Sequence, residues 1–187
     1  MDRETYHHGS LRAELLNQAR TLLDEGGLEA VTLRETARRA GVSATATYRH
    51  FRDKDALLAA VATEGFQQFC ERLGASAQEA NRSADIGRAY VQFALDRPGL
   101  FRLMFSPLFQ ARASHPDMEA AAAKAFDLLQ SAATAPGPFS GCMPPPAISV
   151  WAEAHGLAHL MLDGIFPPDK HDEILASIFG GRDTASD

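Results

Sequence analysis

Several residue classes are scarce, and each scarcity excludes something. The chain has two cysteines, Cys70 and Cys142. They lie far apart in sequence, so no disulfide framework is expected and a reducing intracellular compartment fits better. No apolar run is long enough to span a bilayer. The opening stretch, MDRETYHHGSLRAELL, lacks the apolar core of a signal peptide. These features predict a cytoplasmic protein with no membrane partner. Internal repeats and the alternating pattern of strands are also missing. So are a phosphate loop, a nucleophile–base pairing and a metal-ligand cluster. A helical enzyme using His155 or His159 as acid or base therefore has no support, and no catalytic residue, cofactor or metal is expected.

Positive charge is short overall, with a formal net charge of −6. It is not short everywhere. Between Val31 and Lys54 the cations Arg34, Arg38, Arg39, Arg49, Arg52 and Lys54 face only Glu35 and Asp53. From Ala56 onward the balance turns acidic. A local basic face can bind phosphates while an acidic remainder keeps the protein in solution.

The basic stretch, VTLRETARRAGVSATATYRHF, reads as two short helices joined by a tight turn, about Leu33 to Ala40 and about Ala44 to Phe51. Gly41 suits the position that ends a helix, because positive φ costs it no Cβ clash. Ser43 can cap the next helix. Leu33, Ala37 and Ala40 form an inner face, with Tyr48 and Phe51 closing a small core. This is the pattern of a helix-turn-helix, whose second helix enters the DNA major groove. Ala44, Thr45, Thr47, Tyr48, Arg49 and His50 are its exposed candidates. Thr45 and Thr47 can offer a hydroxyl or methyl to a base edge. Tyr48, His50, Lys54 and the hydroxyls of Thr32 and Ser43 suit phosphates, and Arg34 joins the DNA-binding set. The alternative for Thr45 and Thr47 is plain exposed helix, and for Arg38 and Arg39 a solvated face.

The run from Thr32 to Leu58 resembles the DNA-binding signature of the TetR/AcrR family of transcriptional regulators. The matching pieces are Thr32, the R-R-A-G-V-S turn, the Tyr48–Phe51 pair and Lys54, Leu57 and Leu58. The chain itself reads as helices throughout, so the fold class is all-α, with about nine helices. By the resemblance, residues 1–53 would form the helix-turn-helix domain, and residues 54–187 a helical domain for ligand binding and dimerisation. The helix opening at Lys54 would link the two.

The other elements are read in order. Residues 1–9 form an arm that is either free or touches DNA. Ser10 caps a helix from Leu11 to about Glu25, ended by Gly26-Gly27. After the Lys54 helix, helices follow from Asp85 to Leu95, from Pro98, and from about His115 to Ala133. The stretch Ala135 to Pro146 is too rich in Pro and Gly for a helix. A helix then runs to about Ile165, with Pro167-Pro168 behind it, and Asp169 to Phe179 is the last.

Trp151, His155 and His159 share one helical face. The Trp-x-x-x-His-Gly run resembles one described for a C-terminal domain type of the same family. A buried polar–aromatic seam, a ligand-pocket wall and a metal site are the competing readings, and no third ligand stands at a convincing position for the last. Phe101, Met104, Phe105, Phe109 and Phe126 extend the set of flexible and aromatic groups. Together these residues are candidates for a pocket for an apolar or aromatic small molecule, with ordinary core as the alternative. Val150, Ala154, Leu157 and Met161, with Gly164, form another stripe on the same helix. With Ile174 and Ile178 of the last helix they could build the four-helix interface through which the family dimerises, or they could be core. A dimer suits DNA, since two heads related by a twofold read a pseudo-palindrome. The reading is a DNA-binding homodimer that a ligand releases from its operator, a repressor. An activator, or a regulator with no ligand, is the alternative.

Overall fold

Side-chain caps set where the first helices begin. In the computed structural model, which describes residues 8–76, 82–131 and 145–180, α1 spans His8–Ala30, α2 Leu33–Arg39, α3 Ala44–Tyr48 and α4 Lys54–Ser76. Thr32 Oγ1 accepts from Glu35 N at 3.1 Å, Ser43 Oγ from Ala46 N at 3.2 Å and Asp53 Oδ1 from Ala56 N at 2.7 Å. Each cap meets one of the amide groups that a helix start leaves unpaired. After these come α5 (Arg82–Asp96), α6 (Pro98–Met104), a 3-10 turn (Pro107–Ser114), α7 (Pro116–Ser131), α8 (Pro145–Leu162), a second 3-10 turn (Pro168–Lys170) and α9 (His171–Phe179). Among the described residues there is no strand, so the fold is all-α. The expected N-terminal arm through residue 7 and the Pro- and Gly-rich loop through residue 144 lie outside the described residues.

Two helix ends are built alike. At Gly41 (φ 67°) the amides of Gly41 and Val42 bond Arg38 O and Ala37 O. At Gly164 (φ 73°) the amides of Gly164 and Ile165 bond Met161 O and Leu160 O. Both are the paired-bond termination that a residue in the left-handed region permits.

Four local expectations are corrected. The first helix begins at His8, ahead of Ser10, and resumes after a break at Gly27 (φ 68°, ψ −165°) to reach Ala30. The second helix of the helix-turn-helix stops at Tyr48, not Phe51, with Arg49 as its C-cap. The helix carrying Trp151 ends at Leu162, before the prolines, because Gly164 terminates it. Gly164 is therefore not a member of any helical stripe.

The residues group into two compact units. Of the described residues, one takes in those through Gly65 together with Gly99–Ala120, and the other residues 66–76, 82–98, 121–131 and 145–180. In the first, Leu15, Leu16, Leu22 and Leu23 of α1 are buried, as are Leu33 and Ala37 of α2, Phe51, and Leu57 and Val61 of α4. A Cβ on Gly65 would sit 2.8 Å from Leu100 Cδ1 and 2.9 Å from Met104 Sδ, so only glycine lets α4 approach α6 this closely. In the second unit α5 packs on α8 and α9. Phe69 lies edge-on to Tyr90 and Phe93, with ring centroids 4.9 and 5.0 Å away. Such pairs add about 0.5–1.5 kcal/mol beyond the area they bury.

Candidate nucleic-acid interface and the α8 aromatic cluster

The caps that start α2 and α4 also bring polar groups together. A shallow groove of about 360 Å³ is lined by Thr32, Leu33, Arg34, Tyr48, Arg52, Asp53 and Lys54. Four expected DNA-binding residues, Thr32, Arg34, Tyr48 and Lys54, thus share one surface. Thr32 Oγ1 spends a lone pair on its cap and keeps its proton as a donor. Lys54 Nζ donates to Leu28 O at 2.9 Å, which holds the ammonium in place with further N–H groups to give. Arg52 was not singled out in the sequence. Its signal was only its membership of the basic run, and its nearest charge is Asp53, at 3.1 Å.

On and around α3, Ser43, Ala44, Thr45 and Arg49 are exposed and His50 is half-buried. Two expectations fail here. Thr47 is fully buried, with no hydrogen-bond partner for Oγ1 among the described residues. The helical turn points it inward, where Leu33 and Ala37 of α2 are also buried, so it cannot meet a base edge. Tyr48 is 58% exposed and does not close the core, a role left to Phe51, which is buried. A phenol in water and beside arginines is free to meet a phosphate.

The remaining cations of this region are already engaged. Arg38 grips Glu35 with two bonds, Nε to Oε2 at 2.8 Å and Nη2 to Oε1 at 2.6 Å. Arg39 bridges Glu25 at 2.6 Å and Glu35 at 3.4 Å, tying the end of α1 to α2. These arginines, Arg38 first, hold the Glu35 carboxyl down to about 2.

In the second unit, Trp151, His155 and His159 do share a face of α8. Ring centroids are 5.8 Å apart for Trp151–His155 and 4.6 Å for His155–His159. Phe126 stands edge-on to Trp151 at 5.2 Å. The centre of this cluster is Tyr90 of α5. Trp151 Nε1 donates to its hydroxyl at 3.1 Å, and that hydroxyl lies 2.8 Å from His155 Nδ1. Burial lowers the His155 pKa to about 4, with a smaller push from His159. Burial also raises the Tyr90 phenol. Both rings are therefore neutral near pH 7. The sequence showed Tyr90 only as one apolar position among Ile86, Phe93 and Ala94; a buried phenol needs a partner, but nothing local said which.

The other pocket candidates are divided. Phe101, Met104, Phe105 and Phe109 belong to the first unit, where Phe105 packs on Phe101 at 4.9 Å and on Phe109 at 6.2 Å. Phe101 and Met104 are fully buried. Phe126, Trp151, His155 and His159 belong to the second.

The expected dimer stripe divides, and three of its members take the core alternative. Ala154, Leu157 and Met161 are buried within the single chain, because α5 packs against α8. Val150, Ile174 and Ile178 are half-buried. The apolar residues that α8 leaves open are Ile148 and Leu160, 41% and 44% exposed. Ala152 and Gly156 lie between them at helical spacing and are also exposed.

Comparison with known proteins decides the family. The model described as "Bacterial regulatory proteins, tetR family" matches residues 15–61. The one described as "Tetracyclin repressor-like, C-terminal domain" matches residues 83–179, more than half of the chain. The chain belongs to the TetR family. As a TetR family protein it is a DNA-binding transcription regulator with a helix-turn-helix domain, and not an enzyme. Its structure is similar to that of a protein with unknown function from Rhodococcus sp. RHA1, with 31% identity, TM-score 0.77 and coverage of 95% of this chain and 96% of that one. It is also similar to a bacterial regulatory protein in the tetR family from Rhodococcus RHA1 (18%, 0.67, 91% and 93%). The multidrug binding protein EbrR complexed with ethidium shares the fold (20%, 0.66, 93% and 98%). No curated protein matches. Among the described residues no helix is long and apolar enough to cross a membrane.

Proposed function

We propose that this TetR family regulator is a ligand-released repressor that binds a pseudo-palindromic operator as a homodimer in the cytoplasm. Residues 1–53 serve DNA binding, and residues 54–187 serve ligand binding and dimerisation. The observation that carries the DNA-binding part is the groove where Thr32, Arg34, Tyr48, Arg52 and Lys54 converge, beside the exposed Ala44, Thr45 and Arg49. The groove residues position the head on phosphates, and Ala44 and Thr45 meet base edges. The short α3 carries few long side chains, so DNA shape contributes to specificity.

The dimer reading rests on the row Ile148, Ala152, Gly156 and Leu160 of α8, and Ile174 and Ile178 of α9 are proposed to join the interface. Small residues in such a row let a second copy approach closely. The effector is an apolar or aromatic small molecule. The neutral Tyr90–His155–Trp151 cluster supports an uncharged ring system able to exchange a hydrogen bond with it.

Release is a population shift. A ligand that prefers the conformation with wrongly spaced heads lowers operator affinity by that preference and no more. A differential of about 3 kcal/mol gives release of the order of a hundredfold.

The test is selection from random-sequence duplexes across a salt series. An enriched palindrome whose affinity falls steeply with salt supports the reading, and the recovered operator then serves to screen aromatic compounds, ethidium among them, for release. A lone half-site, or no enrichment from ligand-free protein, overturns it.

A further inference from the structure

Arg34 and Arg38 stand one turn apart on the same exposed face of α2, yet their surroundings differ. Arg34 makes no ion pair among the described residues and lines the groove. Arg38, with 69% of its side chain exposed, is held by both oxygens of Glu35. Arg39 is clasped between Glu25 and Glu35. We infer that Glu35, helped by Glu25, withholds Arg38 and Arg39 from DNA phosphates, and so limits sequence-independent binding.

The inference rests on the DNA-binding reading above and deepens it. Exchanging a carboxylate for a phosphate gives a forked arginine little net gain, because the geometry and charge of the two partners are alike. An arginine with no carboxylate partner gains the whole interaction. Glu35 stays ionised across the working pH range, since Arg38 and Arg39 hold its carboxyl down to about 2. The pairs contribute little to stability, being exposed. Their consequence is that Arg38 and Arg39 drop out of the phosphate-binding set, whereas Arg52 meets Asp53 only through Nε, at 3.1 Å, without the two-bond grip that holds Arg38. Phosphate contacts carry no sequence information, so withholding two arginines lowers the sequence-independent part of the affinity and leaves base contacts a larger share of what remains. Glu35 is in this sense a positioning residue, acting through its arginines.

The experiment measures affinity of the full chain for a short random-sequence duplex against salt concentration. The proteins are wild type, Arg34→Gln, Arg38→Gln, Glu35→Gln and Glu29→Gln. Glu29 is an exposed carboxylate of the same unit outside the network, and controls for net charge. The logarithmic salt slope changes by about 0.9 for each DNA phosphate that a cation neutralises. Arg34→Gln is expected to flatten the slope by that amount per head, and Arg38→Gln to leave it unchanged. Glu35→Gln is expected to steepen it, and Glu29→Gln to leave it unchanged. Equal flattening by Arg34→Gln and Arg38→Gln, or a Glu35→Gln slope no steeper than that of Glu29→Gln, overturns the inference. The Arg38→Gln arm does not depend on how well Glu35→Gln folds. A wild-type protein with no salt-dependent duplex binding overturns the DNA-binding reading instead.

Discussion

The Tyr90 hydroxyl accepts from Trp151 Nε1 at 3.1 Å and faces His155 Nδ1 at 2.8 Å, so one atom of α5 serves two side chains of α8. Removing it in Tyr90→Phe keeps the ring and its edge contact with Phe69 but leaves the indole N–H without its acceptor. Losing such a bond at a part-buried donor costs about 0.5–1.5 kcal/mol. Urea unfolding should show that loss in the midpoint with an unchanged slope; a midpoint like that of wild type would mean the hydroxyl is dispensable.

His155 makes stability depend on pH. Its pKa is near 6.5 when unfolded and is lowered to about 4 in the fold. Between those values the unfolded chain binds a proton that the folded chain refuses. Stability therefore falls as pH drops from about 6.5 to about 4, and is fully present above that window. In His155→Gln, whose side-chain amide can still bond the Tyr90 hydroxyl, this part of the pH dependence should vanish. Denaturation midpoints at several pH values in the two proteins make the comparison, and parallel curves would refute it.

Thr47 separates burial from recognition. Its hydroxyl is buried and makes no hydrogen bond among the described residues. Thr47→Val, which keeps the shape and removes the hydroxyl, should be neutral or mildly stabilising and should leave sequence preference intact. Thr45→Ala, at an exposed position, should change preference without changing stability. Selection profiles showing the reverse pattern would sink the assignment.

Gly41 tests the turn. A Cβ there meets nothing within 4 Å, so the cost of Gly41→Ala is backbone strain at φ 67° alone. That strain is about 1–2 kcal/mol. A melt as high as wild type would show that the turn can relax.

Leu160 tests the proposed dimer face. Leu160→Glu places a charge on an exposed position and should yield folded monomers in sedimentation. Leu157→Glu, at a buried position, should instead unfold the chain. Folded dimers of Leu160→Glu would move the interface elsewhere.

The helical class, the helix-turn-helix and the cap at Ser43 were legible in the chain, because each depends on neighbours within a few residues. A hydroxyl three positions before a free amide, or a glycine after a helical run, acts through local geometry alone. So was the shared face of Trp151, His155 and His159, which needs only the helical period. Which side of a helix is covered is a different kind of fact. The stripe Ala154, Leu157 and Met161 and the row Ile148, Ala152, Gly156 and Leu160 have the same period, and only the packing of α5 on α8 decides that the first is core. Thr47 went inward and Tyr48 outward for the same reason, since a helix of five residues has too little pattern to set its own rotation. The hydroxyl that joins Trp151 to His155 and the Glu25 carboxylate that holds Arg39 likewise come from tertiary structure, whereas the Glu35 pairs with Arg38 and Arg39, three and four residues apart on one helix, are local. Side-chain partners distant in sequence are selected by packing, and periodicity carries no record of them.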